Sequence, residues 1–279
     1  MARTRELYAY REILLNLVRK ELKVKYTASV LGAIWSLLNP VVFLAVFTFV
    51  QKVLQGGIED YPVFLLSGLL AWNVFSVSLG AGAVSMIENA NLVKKVYFPR
   101  EILPLAKVGV ALVDFVLQSA VFFLFIIVIG YGFVLNAIWL YPLAFVALLL
   151  FTTAVTLLVA ALNVRYRDVQ HLIGLALLVW FWLTPIVYGA YAVFEQLQDT
   201  FTHKVFLAVY LLNPMAWIVV GFQHALYHSL TSTGGQVLSP QTTTDIGGWL
   251  VVVIAACTVL LYLAWRLFFN LSGDFAEEL

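Results

Sequence analysis

The chain has 279 residues, 63% hydrophobic and 11% charged, with a mean hydropathy of +0.96 and a formal net charge of +1. A charged fraction less than half the roughly 25% usual for soluble domains excludes a water-soluble globular protein, and apolar runs that are continuous rather than alternating exclude a membrane barrel. The basic residues are scattered in small groups, so nothing points to a nucleic-acid partner, and the lone Cys257 excludes an internal disulfide and reads as packing or lipid-facing filler.

Residues 1–29 carry Arg3, Arg5, Arg11, Arg19, Lys20, Lys23 and Lys25 against Glu6, Glu12 and Glu21, with Leu7, Tyr10, Leu14, Leu17 and Val18 at helical spacing. This reads as an amphipathic helix lying in the membrane interface; a solvated basic arm is the bland alternative. The first long apolar run begins near residue 30 and is too long for a signal core, so no cleavable leader is expected.

A crossing of the hydrocarbon takes about 20 apolar residues. On that measure the expected spans are 30–50, 63–85, 105–130, 138–162, 170–188 and 248–268, giving an all-α membrane domain of six spans over 30–270 and a tail at 271–279. Residues 115–164 hold no charge and are read as two spans joined by a tight turn near Gly130, Gly132 and Asn136. The stretch 205–228 is long enough for a seventh span, but Asn213 and Pro214 divide it, and two short helices re-entering from the outer face are favoured over a crossing. Residues 231–248, rich in Gly, Ser and Thr, read as a polar, mobile outer loop. With six spans and both termini cytoplasmic, fourteen of the sixteen Lys and Arg fall inside, leaving only Lys52 and Lys204 outside.

Chemistry is mostly missing. There is no Gly-Lys pair and hence no phosphate-cradling loop, so nucleotide energy has to come from a partner. His224 and His228 stand at i and i+4, but Ala225 occupies the place of a zinc protease's glutamate, and they read as interfacial histidines rather than a metal site. Asp114, inside the third span, is either a functional intramembrane carboxylate or a structural one bonded to a neighbouring helix; the structural reading is favoured.

Residues 88–104, "ENANLVKKVYFPREILP", concentrate charge and proline between spans two and three. Leu92, Val93, Val96 and Tyr97 fall on one apolar face with Lys94 and Lys95 opposite, and Phe98 before Pro99 is biased to extended geometry. The pattern predicts a short amphipathic helix over about 88–98, with Pro104 in the first turn of the next helix; an ordinary topology-fixing loop is the alternative.

That stretch closely resembles the cytoplasmic loop of permease subunits in the ATP-binding-cassette exporters of polysaccharide and polyol phosphate, the group exporting O-antigen, teichoic acid, capsule and mycobacterial galactan. Residues 19–42, 163–169 ("NVRYRDV") and 211–219 ("LLNPMAWIV") are similar to other segments of that family, so the resemblance covers nearly the whole chain. It implies a non-enzymatic permease in the bacterial cytoplasmic membrane. Its partners would be a second copy of itself, two ATPase subunits that carry ATP and magnesium, membrane lipids and a lipid-linked polysaccharide, with no cofactor on this chain.

The family's loop docks on the ATPase, which carried over makes Glu88, Asn91, Leu92, Val93, Lys94, Lys95, Val96, Tyr97 and Phe98 the coupling residues. Arg165, Arg167 and Asp168 would contact the ATPase or a lipid pyrophosphate, or serve only as a topology anchor. The aromatics thought to line the channel match Phe43, Phe47, Trp180, Trp182 and Tyr188, though packing and interface-belt roles compete. Arg19, Lys20, Lys23 and Lys25 are candidates for a gate facing the substrate's phosphate. Competing functions are export of a drug or small lipid and, from another class, a membrane enzyme acting on lipid-linked sugar; the latter would need clustered acids, histidines or metal ligands.

Overall fold

The computed structural model describes residues 9–27, 34–53, 58–132, 135–191, 210–227, 231–232 and 235–279. Its helices are α1 (Arg11–Tyr26), α2 (Ile34–Val53), α3 (Tyr61–Glu88), α4 (Ala90–Lys95), α5 (Ile102–Val128), α6 (Leu140–Arg165), α7 (Val169–Trp182), α8 (Pro214–Leu226), α9 (Thr243–Leu271) and α10 (Phe275–Glu278). A two-residue antiparallel pairing, β1 (Thr231–Ser232) with β2 (Gly235–Gln236), lies between α8 and α9.

Prolines set several helix starts. Pro62, Pro104, Pro142 and Pro214 all fall in a first turn, where a missing N–H costs nothing and the fixed φ is already helical. Between α5 and α6 the chain turns at Gly130, whose φ of 71° suits a residue without Cβ. The last span begins earlier than the expected 248, because Thr242 and Asp245 form a capping box: Thr242 Oγ1 accepts from the Asp245 N–H at 3.2 Å and Asp245 Oδ2 from the Thr242 N–H at 3.1 Å. The polar stretch before it is also more structured than expected, since Val237, Leu238 and Ser239 are buried.

Among the described residues four helices, α3, α5, α6 and α9, are long and apolar enough to cross a membrane. The described part of α2 reaches 20 residues, with Pro40 inside it. The expected fifth span is cut short: α7 ends at Trp182 rather than 188, three residues before Pro185, whose ring biases Thr184 away from helical geometry. Its 14 residues reach only about 21 Å at 1.5 Å per residue, against about 30 Å of hydrocarbon.

The chain beyond α7 is irregular and becomes buried at Thr184, Pro185 and Ile186, and side chains of other helices bond its carbonyls. Asn213 Nδ2 donates to the Leu183 carbonyl at 3.3 Å, Gln223 Nε2 to that of Pro185 at 2.7 Å, and the Tyr61 hydroxyl to that of Val187 at 3.0 Å. Of the expected pair of short helices at 205–228, residues 205–209 and 228 lie outside the described set. The second helix, α8, is capped by Asn213 accepting from the Met215 N–H at 3.0 Å and is buried along its length.

The main apolar core is built around α3, which is buried on almost every face, with α5, α6 and α8 packed about it and α9 joined to it through α6 and α8. Without a hydrophobic drive between helices in lipid, close approach through small residues replaces it. Gly82 marks one such place: a Cβ there would lie 2.2 Å from Thr156 Cγ2 of α6. A second, smaller cluster joins the ends of α3, α5, α6 and α9 to α4, α10 and α1. Outward faces stay apolar, as with Val116 (64% exposed) on α5 and Leu175 (66%) on α7, which suits lipid or a second subunit.

Gly82→Ala is expected to destabilise the purified protein by about 1–3 kcal/mol through overpacking, and the added Thr156→Ser, which removes the opposing methyl, to restore most of it; thermal unfolding in detergent checks both. Asn213→Ala removes the α8 cap and the bond to Leu183, so amide hydrogen exchange should accelerate at Met215 and around Leu183 while α6 stays protected.

Candidate functional site

The loop singled out in the sequence sits where α3, α5, α6 and α9 end together. Its helix is shorter than expected: α4 stops at Lys95, and Val96 is already extended (φ −125°, ψ 133°). The physical reason is burial. Val93 and Phe98 both belong to the second core cluster, with Met86, Ile102, Val164 and Phe268, and the extended step at Val96 separates them so that both turn inward.

The coupling candidates therefore divide. Val93 and Phe98 are anchors and Leu92 is half-buried, whereas Asn91, Lys94, Lys95, Val96 and Tyr97 face outward. Val96 is 50% and Tyr97 88% exposed. A valine and a tyrosine held in the open by buried neighbours on either side form an apolar tip flanked by two ammonium groups, with the form expected of an interface anchor.

The C-terminal segment braces this tip, which the sequence, read as a mere tail, does not reveal. Arg100 donates from Nη1 to the Ser272 carbonyl. Phe275 of α10 is buried (1% exposed), with its ring edge-on to Phe268, centroids 5.4 Å apart. Between residues 96–100 and 269–273 lies an open cavity of about 500 Å³. The available signal was one aromatic, Phe275, inside an acidic tail.

On the same end, α1 lies along α5. Leu14 and Leu17 pack on the second cluster, and Gly109 of α5 leaves room for Val18, whose Cγ2 would be 2.7 Å from any Cβ there. Of the gate candidates, Arg19, Lys20 and Lys23 are exposed. Lys25 instead binds Asp114 Oδ2 at 2.7 Å, and the Tyr26 hydroxyl donates to Asp114 Oδ1 at 3.0 Å. Asp114 thus bonds a lysine and a tyrosine of the N-terminal helix, a bond to a neighbouring helix of the kind the structural reading expects. Lys107, one further basic residue of α5, reaches both Glu21 and Glu88.

Arg165, Arg167 and Asp168 are exposed on the loop between α6 and α7. That loop is pinned by Asn163, whose Nδ2 donates to the Ala83 carbonyl at 2.8 Å and whose Oδ1 accepts from the Gln170 N–H at 3.0 Å.

The aromatic candidates fall into three places. Phe43 and Phe47 stack at 5.8 Å on α2 and meet α7 through Phe181, at 5.8 and 6.2 Å, while Trp182 stands edge-on to Phe47 at 6.3 Å. Phe181, absent from the sequence-based candidates, is the centre of this group and also contacts Trp72 at 5.5 Å; its signal was its position between two tryptophans, at 180 and 182, on a helix facing Phe43 and Phe47. Trp180 turns the other way, against Phe75 at 5.0 Å, and donates to Asn213 Oδ1 at 2.9 Å. Tyr188 lies past the helix end and donates to the Trp182 carbonyl at 2.9 Å. His224 is buried within α8, and His228 falls outside the described residues.

A bundle with apolar outer faces, an exposed tip just past a short helix between two long ones and an N-terminal helix along α5 are the features on which similarity to known proteins bears. The chain is 34% identical over 280 residues to the O-antigen export system permease protein RfbA of Myxococcus xanthus, an overlap of 99% of this chain and 98% of that one. It is 31% identical over 213 residues to the protein of the same description from Klebsiella pneumoniae, covering 76% of this chain and 79% of that one. Residues 13–227 match the sequence model of the ABC-2 type transporters, and the chain therefore belongs to the ABC-2 type transporter family of membrane proteins.

Proposed function

We infer that this protein is the permease subunit of an ATP-driven exporter that moves a lipid-linked polysaccharide of the O-antigen type across the bacterial cytoplasmic membrane. The observation that carries the reading is near full-length similarity to O-antigen export permeases, joined to a tip, Val96 and Tyr97, that is exposed, apolar and rigidly supported. The chain is not an enzyme: nucleotide chemistry belongs to a separate ATPase, where ATP and magnesium bind.

In this account the α4 end faces the cytoplasm with both termini, as the distribution of Lys and Arg supports. Six spans form when α2 and the α7 segment, extended by its irregular buried continuation, are counted with the four long helices, and α8 belongs to a pair of short helices re-entering from the outer side. Two copies pair, and two ATPases dock on residues Glu88 to Phe98 and on the loop of Arg165, Arg167 and Asp168.

Closure of the ATPases on ATP would pull the two tips toward each other. Because Val93 and Phe98 seat the tip in the joined ends of four long helices, the pull moves whole helices rather than one loop. The path opened between subunits is lined by Phe43, Phe47, Phe181 and Trp182, with Trp180 and Tyr188 toward the outer end; aromatic faces suit the C–H faces of sugars without holding them by strong hydrogen bonds. Arg19, Lys20 and Lys23 of α1, exposed beside the membrane, offer cations to the phosphate of the lipid carrier, and Lys25 joins them when its pair with Asp114 opens.

The test is the variant carrying Val96→Asp with Tyr97→Asp. Purified from membranes, the unmodified chain should bring down an ATPase in equal amount. The double variant should retain its helical content and thermal stability, since both side chains are exposed, yet lose at least about tenfold in ATPase recovery, as expected for deleting an aromatic anchor worth 2 kcal/mol or more, and export should fail. Export at the normal rate would refute docking at this tip.

A further inference from the structure

The Lys107 side chain is 11% exposed and its ammonium meets two carboxylates from different helices: Glu21 of α1 at 2.8 Å and Glu88, the last residue of α3, at 2.9 Å. Two residues after Glu88 comes Ala90, the first residue of α4. One cation thus touches, on one side, the N-terminal helix that lies along α5 and, on the other, the residue at the end of α3 from which the exposed tip hangs. Two like charges stay this close because the ammonium sits between them.

The charges along α1 and α5 are arranged to fix one register. On α1 the order is acid then base, Glu21 then Lys25; on α5 it is base then acid, Lys107 then Asp114, and both cross-pairs form. Sliding α1 along α5 in either direction sets Lys25 against Lys107 or Glu21 against Asp114, which is repulsive, so the helix is held to one seat by what the alternatives cost.

The two arms of the Lys107 site are unequal. Glu21 is 23% exposed and Glu88 52%, so salt and water screen the Glu88 arm more and it is the joint that gives first.

Resting on the docking reading above, we propose that Lys107 is a positioning residue that links the tip to the N-terminal helix: displacement of α4 moves Glu88, and the shared ammonium passes that movement to Glu21 and hence to α1. The lysine does not touch substrate or nucleotide. It makes the position of α1, with its exposed Arg19, Lys20 and Lys23, follow that of α4.

The experiment uses the full complex of this chain with its ATPase in lipid nanodiscs and in vesicles, with Cys257→Ala and spin labels at Leu15 of α1 and Val116 of α5. In the unmodified complex ATP should change the distance between the labels. Glu88→Gln and Glu21→Gln should each abolish that change and lower export about tenfold, the size of a lost coupling between contacting groups. Glu21→Gln should leave ATPase co-purification and basal ATP hydrolysis as they were. The Glu21→Gln/Glu88→Gln double variant should be no worse than either single one, since the two arms act in series, and Lys107→Arg, which keeps two donors and the charge, should retain most of the function.

The proposal is overturned if α1 does not move with ATP in the unmodified complex, if it moves normally in Glu88→Gln and in Lys107→Met, or if the two glutamine variants add. Should Lys107→Met fail to insert, Glu21→Gln and Glu88→Gln carry the decision on their own. If no ATPase binds the unmodified chain, the docking reading falls and this proposal with it; binding and export that are insensitive to the three residues remove this proposal alone.

Discussion

In a lipid environment a backbone N–H or C=O without a partner costs several kcal/mol, and this fold answers that constraint where a helix stops short inside the bundle. The clearest case lies past α7, where the chain gives up helical structure and then turns inward at Thr184, Pro185 and Ile186. Asn213, Gln223 and Tyr61 each supply a donor to a carbonyl there, at Leu183, Pro185 and Val187. Two of those donors belong to α8 or its cap. The short helix and the irregular segment therefore depend on each other: α8 has its cap because Asn213 is held by Trp180, the Leu183 carbonyl and the Thr184 hydroxyl, and the irregular backbone is tolerable because α8 is in place.

At the opposite end the same economy serves a different purpose. The helix ends there are drawn into one apolar cluster, and the chain between α3 and α5 contributes Val93 and Phe98 to it while leaving Val96 and Tyr97 outside. Phe275 and the Arg100 contact with the Ser272 carbonyl add the C-terminal segment as a brace. A tip fastened on both sides of its exposed residues loses little entropy when a partner binds it and cannot yield without taking the helices with it. Both properties are what a docking handle needs if force is to reach the membrane.

The sequence made the all-helical membrane class legible because the apolar runs are long and nearly free of charge, and the four longest helices appear where those runs lie. The segment between α3 and α5 stood out because charge and proline interrupt those runs at one place. Its local geometry was not: the proline rule placed the end of α4 at Phe98, whereas burial of Phe98 ends it at Lys95, a tertiary demand that no local pattern carries. The same holds for α7, where Pro185 was visible but the three side chains that make an early end acceptable come from 61, 213 and 223. Phe181 was hidden for another reason: with 15% aromatic residues in the chain, only spatial convergence distinguishes the ring at the centre of a group from its neighbours. The pairing of Lys25 with Asp114 joins residues 89 apart, and spacing on one helix cannot show it.

The central claim is that the exposed tip is the surface the ATPase grips. The most direct measurement is photo-crosslinking in intact cells with a photoreactive amino acid placed singly at Tyr97 or at Leu135, which is 79% exposed at the far end of the bundle. The account predicts an adduct with the ATPase from position 97 and none from position 135. An adduct from 135, or none from 97 while export continues, would contradict it.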